Sequence, residues 1–223
     1  MPIFLTTIAT TTFLLAASAA PESGDGEAVL WAGHQISFGS RDVPFRGEVA
    51  TRMDTLVLAR VEFDGSRLVI DQVACAVRFD EVGGVRVTMD AAGLPRTRMM
   101  FALQDGGEMF LAKSTVAWDD EDVDGDGHPG ITIGVDAPVC SGDLYVSNRS
   151  RTRAEGHFEG DLFRGRARVK VDQEVLGTRG RCLGVVARDI TETVAGPFAY
   201  VRTPTGSTCA SLISSGWPID AES

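Results

Sequence analysis

The chain has 223 residues, 43% hydrophobic and 23% charged, with 31 acidic against 21 basic side chains and a formal net charge of −10. A chain of this size can bury one sizeable core. So acidic a chain is a poor candidate for binding nucleic acid, whose phosphates demand a basic face.

The opening segment, MPIFLTTIATTTFLLAASAA, carries no charged side chain before Glu22. The apolar stretch from Ile3 to Ala17, followed by Ser18 and Ala19, has the length and small-residue ending of a secretory leader, although no Lys or Arg precedes it. Pro21 disfavours cleavage after Ala20, so the expected cut follows Ala19. Residues 1–19 then form a signal peptide and residues 20–223 a single mature domain, secreted or periplasmic. No later stretch reads as a transmembrane span. Four cysteines behind a leader predict two disulfides, and without a Cys-x-x-Cys pair they give no support to a zinc ribbon. The expected pairs are Cys75 with Cys209 and Cys140 with Cys182. Each first member begins or lies within a strand, and each second lies in a later segment that returns to the sheet.

Alternation with period two recurs along the mature chain, punctuated by Gly and Asp turns. Val49, Met53, Val57, Val61 and Phe63 share one face of a stretch that ends at Asp64-Gly65, a strong hairpin signal, and Leu68, Ile70 and Val73 follow. Val85, Val87 and Met89 alternate with polar residues. The segments MMFALQ and EMFLAKSTVAW flank a DGG turn. Further strands are expected in ITIGV, LYVSNRS, TRAEGHFEG, LFRGRARVKVDQEV, CLGVVARDITETV and FAYVRT. In LFRGRARVKVDQEV, Phe163, Ala167, Val169 and Val171 face one way and Arg164, Arg166, Arg168 and Lys170 the other. Glu155 and Glu159 on the preceding strand are expected opposite these cations, which makes a solvated face of modest ion pairs. No 3.6-residue apolar pattern is sustained beyond the leader. The fold class is all-β: a single antiparallel β-barrel of about ten to twelve strands, or alternatively a two-sheet sandwich.

One segment departs from the strand rhythm. DDEDVDGDGHPG, residues 119–130, places six carboxylates within eight residues. Charges that close repel one another unless a cation or abundant water sits among them. Calcium takes six to eight oxygen ligands, and carboxylates at alternating positions of a tight turn converge on one point. One register uses Asp122, Asp124 and Asp126, with Gly127 at the turn and the backbone carbonyl of His128. A second starts at Asp120 and uses Asp122, Asp124 and Gly125. The residues leave both open. The segment resembles the calcium loops of EF-hands, dockerins and thrombospondin type 3 repeats. It lacks the bidentate Glu at the twelfth position, where Ile133 or Ile131 stands, and strands rather than helices flank it. The resemblance implies a structural calcium ion held weakly, with a dissociation constant on the order of 10⁻⁴–10⁻³ M.

Motifs for an enzyme are sparse. There is no G-x-S-x-G elbow, no H-E-x-x-H and no phosphate-cradling Gly loop. Ser114, His157 and Asp161 supply the residue types of a nucleophile, base and orienter, and paired carboxylates of the glycosidase kind stay open as an alternative. The acidic loop together with GDLYV and RSRTRAEG resembles a group of uncharacterised secreted bacterial β-proteins. The strand pattern is similar to lipocalin-like barrels, whose G-x-W signature the chain lacks. The expected function is that of a non-enzymatic β-barrel binding protein with a calcium-braced loop. Its partner would be a small apolar ligand or an envelope or extracellular surface.

Overall fold

The computed structural model describes residues 29–43, 47–180 and 182–223. The expected leader and the first residues of the mature domain lie outside the described residues. Among the described residues, ten strands form one antiparallel sheet: β1 (Leu30–Val43), β2 (Gly47–Phe63), β3 (Arg67–Phe79), β4 (Arg86–Met89), β5 (Thr97–Leu103), β6 (Phe110–Trp118), β7 (Ile131–Asp136), β8 (Gly142–Glu159), β9 (Leu162–Arg179) and β10 (Ile190–Arg202). Asp64-Gly65 makes the β2–β3 hairpin as its residues predict. Gly65 takes a φ of 89°, and the Asp64 side chain accepts from the amides of Ser66 and Arg67.

Hydrogen bonding runs through β8, β6, β5, β3, β2, β1, β10 and β9, and β9 pairs with β8 again, so the strands ring round. The length of β8 makes this possible. One edge of β8 carries β7 opposite residues 142–146 and β6 opposite residues 148–156, while the other edge is lined by β9 throughout. β4 pairs with β7 and extends that branch. LYVSNRS and TRAEGHFEG are therefore one continuous strand rather than two.

One face of the ring holds the core. Trp31, Val57, Leu68, Ile70, Phe101, Phe110, Phe163, Phe198 and Tyr200 are buried together, with Val61, Phe158 and Ala167 packed against them. The aromatic rings meet mostly edge to face, for example Phe101 on Phe163 at 5.2 Å and Phe110 on Phe158 at 5.8 Å, the arrangement that aromatic quadrupoles prefer. The inward place after Ile70 belongs to Gln72, not to Val73. Gln72 accepts from the Tyr200 hydroxyl at 2.6 Å, and Gln35 donates to both, so the polar atoms inside this core are satisfied. β10 carries Gly196-Pro197 at its middle, and the β1 ladder skips from Gln35↔Phe198 to Phe38↔Ala195 at that point. Proline has no amide to donate there, and a Cβ on Gly196 would lie 2.1 Å from the Ile36 carbonyl oxygen.

Three sequence expectations change. CLGVV is not a strand: Leu183–Val186 form a short helix, α1, and the strand begins only at Ile190. A second helix, α2 (Cys209–Ser215), is too short for apolar periodicity to announce it, and a capping box between Thr208 and Ser211 starts it. Lastly, the outward cations of β9 are only partly matched by acids. Glu155 does oppose Arg166, but Arg168 faces Arg153 and Lys170 faces Arg151.

Cys75 is bonded to Cys209 and Cys140 to Cys182, the connectivity expected above. Cys75 sits at the irregularity where β3 slips against β2, between the Val57↔Ala74 and Leu56↔Ala76 pairs. Its bond ties down the C-terminal segment, which crosses the opposite face of β1 and β10. There Ile36, Ala199 and Ala221 are buried together, the Trp217 indole donates to the Gly33 carbonyl, and the Ala221 amide donates to His34 Nδ1. Since Nδ1 accepts, His34 Nε2 carries the proton and donates to Asp54 at 2.9 Å. No helix among the described residues is long and apolar enough to cross a membrane.

Candidate metal centre

The acidic segment connects β6 to β7, and its neck is closed by backbone bonds. Val123 donates to the Gly130 carbonyl at 3.0 Å and Gly130 to the Glu121 carbonyl at 2.7 Å. Gly130 has a φ of 74°, and a side chain there would meet the Val146 carbonyl at 2.2 Å, so only glycine lets the neck lie against β8. Between these anchors the chain winds round the Asp122 carboxylate. The amides of Gly125 and Asp126 donate to one of its oxygens, at 2.8 and 3.1 Å, and the amide of Gly127 donates to the other at 2.9 Å. Gly125 and Gly127 supply the positive φ values, 75° and 87°, that so tight a winding needs.

The result is a triad. One oxygen from each of Asp122, Asp124 and Asp126 lies within 4.8 Å of the other two. Oxygens on either side of a calcium ion, each 2.3–2.6 Å from it, stand at most about 5 Å apart, so the spacing suits that ion. Of the two registers the sequence left open, the one beginning at Asp122 contains all three clustered carboxylates. Asp119, Asp120 and Asp136 are not part of this cluster. Ile133, at the twelfth position, is buried between Met89 and Leu144 and brings no oxygen. The His128 imidazole stacks flat on Tyr145, with centroids 4.2 Å apart, which leaves its carbonyl as the group to consider.

Thr132, at the start of β7, orders the triad. Its amide donates to Asp124 Oδ2 at 2.8 Å and its hydroxyl to Asp126 Oδ2 at 2.6 Å. That hydroxyl is the main reason the Asp126 carboxyl is held below the usual carboxylate range, with the His128 amide adding to it, so Asp126 stays ionised. Asp124 is the least exposed of the three carboxylates, and its Oδ1 is buried with no hydrogen-bond partner. Behind it packs the 3₁₀ turn Ala91–Gly93, so close that a Cβ on Gly93 would fall 2.3 Å from the Asp124 Cβ. Thr132 and Gly93 escaped the sequence reading. Thr132 looks like any polar residue of an alternating strand, and Gly93 lies 31 positions before Asp124.

The imagined catalytic triple does not assemble. Ser114 pairs in register with Thr152, five positions along β8 from His157, or about 17 Å. His157 is engaged instead by Glu159 at 2.8 Å.

No protein-family model matches the chain, and no curated protein is similar to it at a significant level. The functional reading therefore rests on the geometry.

Proposed function

We propose that the chain is an extracytoplasmic, non-enzymatic β-barrel module whose acidic loop holds a structural calcium ion through Asp122, Asp124 and Asp126. The observation that carries this reading is the Asp124 carboxylate. A buried carboxylate oxygen without a partner is costly, and a cation among three converging carboxylates would satisfy it. The absence of a bidentate acid at the twelfth position favours weak affinity, of the order suited to millimolar extracellular calcium. The two disulfides favour an oxidising compartment. The return of β9 onto β8 favours a closed barrel over a sandwich, since it removes the open edges between which two sheets would divide. A small apolar ligand has less support, because Phe101, Phe110, Phe163 and Phe198 occupy the interior where it would lie.

Calorimetric titration of calcium into the metal-free protein tests the reading. Saturable binding is expected in the range of about 10⁻⁴–10⁻³ M, with magnesium weaker because it demands a tighter octahedral cage. Asp124→Asn keeps the size of the side chain and the Thr132 contact, and is expected to lose the calcium heat. Equal weak heats from both ions, unchanged in the variant, would reduce the loop to a hydrated acidic turn.

A further inference from the structure

The outward face of β6, β8, β9 and β10 carries an arrangement that stability alone does not explain. Lys113, Arg153 and Arg168 stand directly opposite one another on three adjacent strands, and in the next row Arg151 stands opposite Lys170. Like charges in directly opposed positions repel at close range. Asp172 relieves the second row, reaching Arg151 at 3.1 Å and Lys170 at 3.7 Å. Lys113, Arg153 and Arg168 are exposed and form no ion pair among the described residues. The far side of the ring follows the opposite rule: Asp71 sits between Arg60 and Arg98 in register, cation, acid, cation. A protein with a net charge of −10 has thus set cations directly against one another on one face.

That face is also grooved. An open trough of about 660 Å³ is lined by Lys113, Arg151, Arg153, Arg168, Lys170 and Thr193. It continues through Lys113, Arg153 and Arg168 into a second trough, of about 690 Å³, that reaches Leu111, Ala195 and Arg166, the last standing opposite the one acid of the lining, Glu155. From the Arg151 row to the Arg166 row is four residues, or about 14 Å along the strands.

We infer that this trough binds a linear anionic polysaccharide, its carboxylate or sulfate groups seated on the Lys113–Arg153–Arg168 row. A single small anion would engage only part of a row and leave the rest repelling. A flat membrane meets a grooved strand face poorly, and Leu111 is the one large apolar side chain among the lining residues, too few to anchor a bilayer. A polymer with regularly spaced charges fits both the length and the open ends. The two disulfides favour an oxidising compartment, where such polymers are met.

The test uses the full mature protein and fluorescent dextran sulfate and polygalacturonate, with neutral dextran, duplex DNA and phosphatidylglycerol vesicles in parallel. Binding to both acidic polysaccharides at low salt is expected, lost near 1 M salt, where the screening length falls to about 3 Å. Arg153→Gln/Arg168→Gln is expected to weaken it at least about tenfold, whereas Arg60→Gln/Arg98→Gln, with the same change in net charge, should alter it less than about twofold. The first variant should melt no lower than the parent, because it removes repulsion. Equal losses in both variants, no binding to either polymer, or tighter binding to DNA or vesicles would each overturn the assignment.

Discussion

The contact between Gly93 and Asp124 gives the most direct check on how the acidic loop is held. Gly93 has no positive φ, so nothing in its backbone forbids alanine. In open space Gly93→Ala would stabilise the protein by about 0.4–1 kcal/mol, by restricting the unfolded chain. Here the new Cβ would lie 2.3 Å from the Asp124 Cβ and 3.0 Å from its Cα. Carbon atoms sit comfortably at about 3.5–4.0 Å, so loop and turn must part by more than an ångström. Forcing extra volume into a packed site costs about 1–3 kcal/mol, which outweighs the entropic gain and leaves a net loss of about 1–2 kcal/mol. For a domain of this size that is about 2–8 °C in melting temperature. Differential scanning calorimetry of parent and variant, with and without calcium, reads both consequences: a lower melting temperature, and a smaller rise on adding calcium because Asp124 has been displaced. A variant as stable as the parent, with an undiminished calcium shift, would refute the argument that the Gly93 turn positions the triad.

Two further outcomes follow from the way the C-terminal segment is fastened. Asp54 accepts two hydrogen bonds from the Arg52 guanidinium, at 2.8 and 2.9 Å, and one from His34, and these hold its carboxyl below the usual range against the opposing effect of burial. A depressed folded-state value contributes stability that is present above the unfolded value of about 3.9 and is lost as pH falls through the folded one. Asp54→Asn is therefore expected to flatten the acid limb of stability against pH below about pH 4 and to speed amide exchange at Ala221, whose acceptor is His34; an unchanged acid limb in pH-dependent urea unfolding would count against it. Removing the Cys75–Cys209 bond by the double Ser variant opens a loop with a sequence separation of 134 and is expected to cost about 2–5 kcal/mol in denaturant unfolding. A Cys75–Cys140 peptide in a non-reducing digest of the parent would contradict the pairing itself.

What the sequence determined by itself is everything that repeats locally. Side chains alternate across a strand with period two, so Phe163, Ala167, Val169 and Val171 declared an inward face before any partner strand was known. Asp64-Gly65 declared a hairpin because only certain residues accept its backbone. Six acids in eight residues declared a place that needs cations or water. The short helices left no such mark, since four and seven residues are too few for a 3.6-residue rhythm to emerge.

Tertiary structure alone decided what depends on residues distant in sequence. Whether β9 returns to β8 is a matter of closure, not of propensity, and the length that lets β8 hold three partners shows only when they are placed. The clustering of Asp122, Asp124 and Asp126 involves Thr132 of β7, which donates to Asp124 and Asp126, and the Gly93 turn of the β4–β5 connection, which packs against Asp124. Register likewise set Arg153 against Arg168 where sequence proximity had offered Glu155 and Glu159. A slip of one residue along a strand exchanges its faces, and a slip of two exchanges its partners, so charge pairing across strands belongs to the assembled sheet.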